Sequence, residues 1–214
     1  MNEQPKQFKW VGTRTIRPDG VDKVTGRAMY GADLTLPGML QGKVVRSPHA
    51  HARILSIDTS KAEALNGVKA VVTAADMPEA ESKPVAAGEA MINFRDLAEN
   101  VIARHKVLYE GQTVAAVAAT TIDIAEQAAA LIKVEYEVLP HVIDVLEAMK
   151  DDAPLLHDHI FTGGVKPKPE KPSNVANRVE FALGDVDAGF AAADVVIERN
   201  FTTEPVHQGY IEPH

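Results

Sequence analysis

Short apolar runs, each closed by proline, glycine or a charged cluster, recur along this chain. "MLQGKVVRSP" carries Leu40, Val44 and Val45 and stops at Ser47-Pro48, which predicts a strand. "HARILSIDTS" alternates, with Ile54 and Ile57 flanking polar positions, and predicts a second. "SKAEALNGV" predicts a short helix, capped by Thr59 or Ser60 and closed by Asn66-Gly67 in the left-handed conformation glycine adopts cheaply. "VKAVVTAADMP" is nearly all apolar and predicts a third strand, buried on both faces. "HKVLYEGQTVAAVAAT" predicts two strands, around Val107–Tyr109 and Thr113–Ala118, joined as a hairpin by a tight turn at Glu110-Gly111. The clearest helix is "TIDIAEQAAALIKVEY". Thr121 can cap it, Asp123 and Glu126 sit in its first turns, and Ile122, Ala125, Ala129 and Ile132 recur at helical spacing. It runs into a further strand, "VEYEVLPHVID", and strand, helix, strand in this order is an α/β (α+β) signature.

Elsewhere the periodicity fades. Residues 1–20 are polar and basic with Pro5 and Pro18, and read as an extended arm. Gly26, Gly31 and Gly38 then separate short apolar runs, with a turn at Pro37-Gly38. Residues 79–100 mix acids with Pro84 and Gly88 and read as a loop with irregular pieces. Residues 151–175 hold Pro154, Pro167, Pro169 and Pro172 with Gly163-Gly164 and read as a linker. Residues 176–214 predict a strand, a helix around Asp187–Ala193 and a strand from Val195 to Thr203. The division is therefore an arm (1–20), an α/β domain (21–150), a linker (151–175) and the start of a second domain (176–214), which stops at "IEPH" and reads as incomplete. Its strands lack mates, so residues 151–214 are not expected to fold stably alone.

Composition narrows the function. Of 214 residues, 45% are hydrophobic and 24% charged, enough apolar content for a buried core. Aromatics are only 5% and alanine is abundant, which favours close helix-on-sheet packing over aromatic pockets. A net charge of -8, with Lys and Arg dispersed among acids, argues against nucleic acid as partner. No apolar run approaches the roughly 18 residues of a membrane span. The N-terminus has no apolar stretch of the secretory kind, making the cytoplasm the default location. The absence of cysteine removes disulfides, thiol nucleophiles, thiolate zinc sites and cysteine-held iron–sulfur clusters.

Candidate chemistry starts with "RSPHAHARI". On a strand, His49 and His51 would project from one face, a chelating geometry, but nothing local offers a third ligand. They read as structural, with imidazoles bonded to backbone carbonyls. His157 and His159 share a proline-bounded loop with Asp151, Asp152 and Asp158 and read as solvated. Glu110, Gly111 and Gln112 form a turn whose glycine would let the backbone approach a neighbour; it reads as the hairpin link. Ser47 lacks a nucleophile-elbow context, and "GDVDAG" lacks the spacing of a dinucleotide loop.

Several ordered phrases carry a family likeness: "KVTGRAMYGAD", "LQGKVVRSPHAHARILSID", "GVKAVVTAADMP" and "VLYEGQTVAAVAA…AEQAAALIKVEYEVLP". Over residues 11–214 the chain resembles the N-terminal a/b hammerhead part of the molybdopterin-binding large subunit in the xanthine dehydrogenase and aldehyde oxidase family. "GDVDAGFAAADVVIERNFTTEPVHQGYIEPH" resembles the opening of the following cofactor-binding domain.

The resemblance implies oxidation of an aldehyde or N-heterocycle with water as oxygen source. Molybdenum-molybdopterin would act in the complete enzyme, with iron–sulfur clusters and FAD on other domains or subunits. Partners would be the remainder of the large subunit and the iron–sulfur and FAD subunits. The family's molybdopterin loops and glutamate base lie beyond the matched region, so no catalytic, cofactor or metal residue is assigned here. "PVHQGYIEPH" leads toward the family's active-site half. There Gln208, Tyr210 and Glu212 would share one side of a regular strand, as channel-lining or supporting groups, with His207 and His214 nearby. Two roles stay open: a split or N-terminal portion of a hydroxylase supplying scaffold and subunit contacts, or a non-catalytic assembly module or truncated fragment. An autonomous histidine metalloenzyme is the weakest alternative.

Overall fold

The computed structural model describes residues 8–87 and 90–209. The chain divides into two compact units, the first closing at His141 and the second opening at Val142.

In the first unit, α1 (Gly20–Val24) and a 3-10 turn at Gly31–Asp33 precede β1 (Gln41–Arg46), β2 (Ala52–Asp58), α2 (Ser60–Glu63) and β3 (Val68–Thr73). Next come β4 (Pro84–Ala87), β5 (Ala90–Asn93), α3 (Phe94–Val101), β6 (Lys106–Val107), β7 (Thr113–Ala119), α4 (Ile122–Leu131) and β8 (Lys133–Val138). The strands form antiparallel sheets in the orders β1-β7-β3, β6-β2-β8 and β4-β5. This is a mixed α/β domain built from small sheets.

The core depends on β7, the central strand of its sheet. Its side chains alternate between two clusters. Val114 packs with Ala52, Ala103 and Val107, while Ala115 and Val117 pack with Ala62, Ala128 and Ile132. Ala125 and Ala128 of α4 are fully buried, so alanine supplies the close helix-on-sheet contact that the composition favours. Thr121 caps α4 by accepting from the Ile124 N–H at 3.3 Å.

Four expectations need correcting. β3 is an edge strand with Lys69 and Ala70 exposed, so the strand buried on both faces is β7. The α2 N-terminus is held by Asp58 Oδ1, which accepts from the Ser60 N–H at 3.0 Å, while the Thr59 side chain caps nothing. Within residues 79–100 lie β4, β5 and α3, the helix capped by Asn93, whose Oδ1 accepts from the Arg95 N–H at 3.0 Å. And β6 and β7 are not a hairpin: β6 pairs with β2, whereas β7 pairs with β1 and β3. The Glu110-Gly111 turn therefore hands the chain from one sheet to the other.

In the second unit, α5 (Val145–Ala148) and α6 (Val186–Ala191) are capped by Asp144 and Asp185. Asn174 ties residues 148–174 together: its Oδ1 accepts from the Leu156 N–H, and its Nδ2 donates to the carbonyls of Ala148 and Pro154, each at 3.0 Å. α6 lies where a helix was expected, but the strands expected on either side of it are not formed among the described residues. One isolated bridge, Gly163 to Asn177, is the exception. Phe181 and Leu183 remain 95% and 98% exposed, as isolated extended backbone with no sheet to join would leave them.

Candidate functional site

The two motifs richest in polar groups, Ser47–His51 and Glu110–Gln112, meet in the first unit. β1 ends at Arg46, and the Ser47 backbone then locks onto the second motif. Its N–H donates to the Gln112 carbonyl and its carbonyl accepts from the Gly111 N–H, both at 2.8 Å. Arg46 Nη1 donates to the Gly111 carbonyl at 2.8 Å. Gly111 has φ +88° with nothing within 4 Å of a built Cβ, so glycine serves the left-handed turn and not the close approach anticipated from sequence.

Gln112 is fully buried, and both ends of its amide are used. Oε1 accepts from the Leu108 N–H at 2.6 Å, and Nε2 donates to the Glu99 carbonyl at 2.7 Å. One side chain thus closes the sheet-to-sheet turn and fastens the end of α3 to it.

The serine and histidines are equally committed. Ser47 is buried; its Oγ accepts from the His49 N–H at 3.0 Å and donates to the His49 carbonyl at 3.1 Å. The His49 ring stands edge-on to Tyr136, centroids 5.0 Å apart. Burial pushes the Tyr136 phenol above its ordinary pKa, with the Ser47 hydroxyl acting in the opposite direction.

His51 is 4% exposed, and its Nδ1 lies 2.7 Å from the Pro140 carbonyl. A carbonyl can only accept, so Nδ1 carries the proton and a neutral ring has a bare lone pair at Nε2. That Nε2 is buried without a partner. Imidazole-to-carbonyl bonding is the structural role expected from sequence. Ser47 is not set up as a nucleophile: its hydroxyl is engaged by the His49 backbone, and no imidazole is bonded to it among the described residues.

His157 and His159 stack edge-to-face at 5.8 Å, with His159 Nδ1 3.7 Å from Asp158 Oδ1. Among the described residues, no three His, Asp or Glu side chains converge as metal ligands. Gln208 is exposed and outside any strand, so the regular alternation expected of it is not formed there; Tyr210, Glu212 and His214 lie outside the described residues. His207 Nδ1 accepts from the Gly209 N–H at 3.0 Å. Sequence reasoning did not single out the burial of Gln112, although a glutamine between a turn glycine and an apolar strand was a usable signal.

Residues 25–140 match the family described as aldehyde oxidase and xanthine dehydrogenase, a/b hammerhead domain. The chain is 40% identical over 218 residues to the carbon monoxide dehydrogenase large chain of Afipia carboxidovorans, covering 98% of this chain and 26% of that one. It is 38% identical over 197 residues to a probable xanthine dehydrogenase subunit of Bacillus subtilis, covering 92% and 24%. Among solved structures, quinoline 2-oxidoreductase from Pseudomonas putida 86 superposes with a TM-score of 0.58 at 38% identity, covering 69% of this chain and 19% of that one. The chain spans about a quarter of the length of the first two relatives.

Proposed function

The chain belongs to the aldehyde oxidase and xanthine dehydrogenase family through its a/b hammerhead domain, and on that premise we propose that it is the N-terminal portion of a molybdenum hydroxylase large subunit. It supplies scaffold and subunit contacts there, and the reacting groups come from elsewhere. The complete enzyme oxidises an aldehyde or N-heterocycle with oxygen from water, and electrons leave through iron–sulfur clusters and FAD on other domains or subunits. Molybdenum-molybdopterin is the resident cofactor of that complete enzyme. No residue of this chain is assigned to hold it: the matched region is the hammerhead part, and among the described residues no three His, Asp or Glu side chains converge. No step is therefore routed through this chain. Assembly is cytoplasmic in this reading; among the described residues, no helix is long and apolar enough to cross a membrane.

The observation that carries the proposal is the state of the second unit. Phe181, Leu183, Phe201 and Val206 are at least 84% exposed on backbone that joins no sheet. Apolar side chains standing this far into water mark a surface that another chain or domain covers. The boundaries read from sequence, an arm to residue 20, a hammerhead domain to 150, a linker to 175 and an opening cofactor domain beyond, fit that assembly. Gln208, Tyr210 and Glu212 then serve as supporting or channel-lining groups. Native mass spectrometry with metal analysis on the tagged protein from its own host tests the proposal. Recovery with molybdenum and larger partner chains is expected, while recovery alone and metal-free would leave a non-catalytic module.

A further inference from the structure

Helix α3 separates two depressions on the surface of the first unit. On one side is a polar cleft of about 200 Å³ lined by Met77, Ser82, Arg95, Glu99, Arg104 and His105. On the other is an apolar groove of about 580 Å³ lined by Val85, Phe94, Leu97 and Val101. The faces follow from spacing: Arg95, Glu99 and Ile102 fall on one flank, Phe94, Leu97 and Val101 on the other. Phe94, Leu97 and Val101 are 48%, 48% and 62% exposed, so the apolar flank is uncovered. Ala80 and Ala98 line both depressions. Each carries only a methyl group, so the wall between cleft and groove is lowest there.

Two arginines and two glutamates line the cleft, and among the described residues Arg104 is in no ion pair. Arg104 is half-buried and rigidly placed, because Ala103 N–H donates to Thr113 carbonyl and Ile54 N–H donates to His105 carbonyl, each at 2.8 Å. Its Nη2 donates to the Met77 carbonyl at 2.7 Å. A guanidinium has five N–H donors, and among the described residues Arg104 has no carboxylate partner. By contrast, Arg95 is paired with Glu99 at 3.1 Å. An arginine oriented by a carbonyl, with its remaining donors free, suits the planar geometry of a carboxylate. Glu79 lines the cleft, and Glu81 and Lys83 flank the groove; the carboxylates repel a dianion such as phosphate about twice as strongly as a single carboxylate.

We propose that cleft and groove together bind a small monocarboxylate with a short unbranched apolar tail. The carboxylate pairs with Arg104, the chain crosses at Ala80 and Ala98, and the tail lies against Phe94, Leu97 and Val101. The charge of Arg104 selects the head and the apolar flank of α3 selects the tail.

Calorimetric titration and amide NMR of the 214-residue chain with octanoate test this, with acetate as the tail-less probe and octan-1-ol as the uncharged one. Octanoate should saturate one site and perturb amides of residues 94–105, and acetate and octan-1-ol should each bind at least about tenfold more weakly. Arg104→Gln should lose about tenfold for octanoate and leave octan-1-ol unchanged. Ala98→Leu, a substitution helices tolerate well, should block the crossing and weaken octanoate while sparing acetate. Octan-1-ol binding as tightly as octanoate, an Arg104→Gln chain with undiminished octanoate affinity, or perturbations confined to other residues would each overturn the assignment.

Discussion

Replacing Gln112 by leucine keeps the volume of a fully buried side chain and removes both of its hydrogen bonds, one closing the sheet-to-sheet turn and one fastening α3 to it. The Leu108 N–H and the Glu99 carbonyl lose their partners together. Each buried polar group left unpaired costs about 1–3 kcal/mol. Leu108 is only 7% exposed, so its amide bears the full penalty, whereas Glu99 is partly exposed and water can reach its carbonyl. Set against this is a gain from burying leucine in place of an amide. The net loss should be about 2 kcal/mol, with the Leu108 amide affected most. Urea titration followed through amide exchange at Val114 and Val117, deep in the first unit, isolates this unit's stability from that of the second. A loss below about 0.5 kcal/mol would refute the reasoning, because it would mean the amide does not fasten the turn.

Gln112→Glu supplies the sign test. A carboxylate still accepts from Leu108 but has no proton for the Glu99 carbonyl, and burial raises its folded pKa above the ordinary value of about 4.3. The variant's deficit should therefore be absent below about pH 4.3, grow as pH rises, and be complete above the folded pKa.

Gly67, at φ +95°, would place a Cβ 2.7 Å from Ile124 Cδ1, so Gly67→Ala should cost at least about 1 kcal/mol in thermal unfolding of the first unit. The carboxyl of Asp76 is held below its ordinary range by the Thr73 N–H and hydroxyl. Its stabilisation of the turn at 74–76 should be fully present above the unfolded value of about pH 3.9 and lost as pH falls through the folded one, which exchange of the Thr73 amide can follow. His51→Asn keeps a donor near the Pro140 carbonyl and deletes the orphaned Nε2, so it should be better tolerated than His51→Ala, by about 1 kcal/mol in denaturant titrations. In the isolated chain, amides of residues 176–185 and 195–204 should exchange with little protection; strong protection throughout would overturn the reading of the second unit.

Local pattern made much of the first unit legible. The alternation of "HARILSIDTS" and the capped periodicity of "TIDIAEQAAALIKVEY" both became the elements they predict, β2 and α4. Sequence proximity misled at Glu110-Gly111, where a glycine turn between two strand-like runs looks the same whether the strands pair with each other or with others. Only the pairing partners, β2 for one and β1 and β3 for the other, distinguish the cases, and they lie far away in the chain. α3 was hidden because its apolar positions at 94, 97 and 101 follow a proline-bearing segment and point to the surface, so no core claims them. The bonding of an imidazole in the histidine motif to a backbone carbonyl was legible, and His51 makes it. Its partner, the Pro140 carbonyl, was not, since backbone acceptors leave no mark on a sequence.

The handover between sheets at Gly111 also bears on how the domain is built over time. In both three-stranded sheets, early strands wait for late ones: Gln41 faces Ala119, and Ala52 faces Val138. β4 with β5 is the only sequence-adjacent pairing among the described residues. Such high contact order delays folding, because the entropy of closing long loops is spent before any ladder repays it. During synthesis β1, β2 and β3 emerge with open edges; β1 and β3 have no partner until β7 leaves the ribosome, and β2 has only the two-residue β6 until β8 follows. A nascent chain halted before Thr113 is therefore the species most exposed to aggregation, and a chaperone that shields it until Val138 has emerged would be acting on this topology.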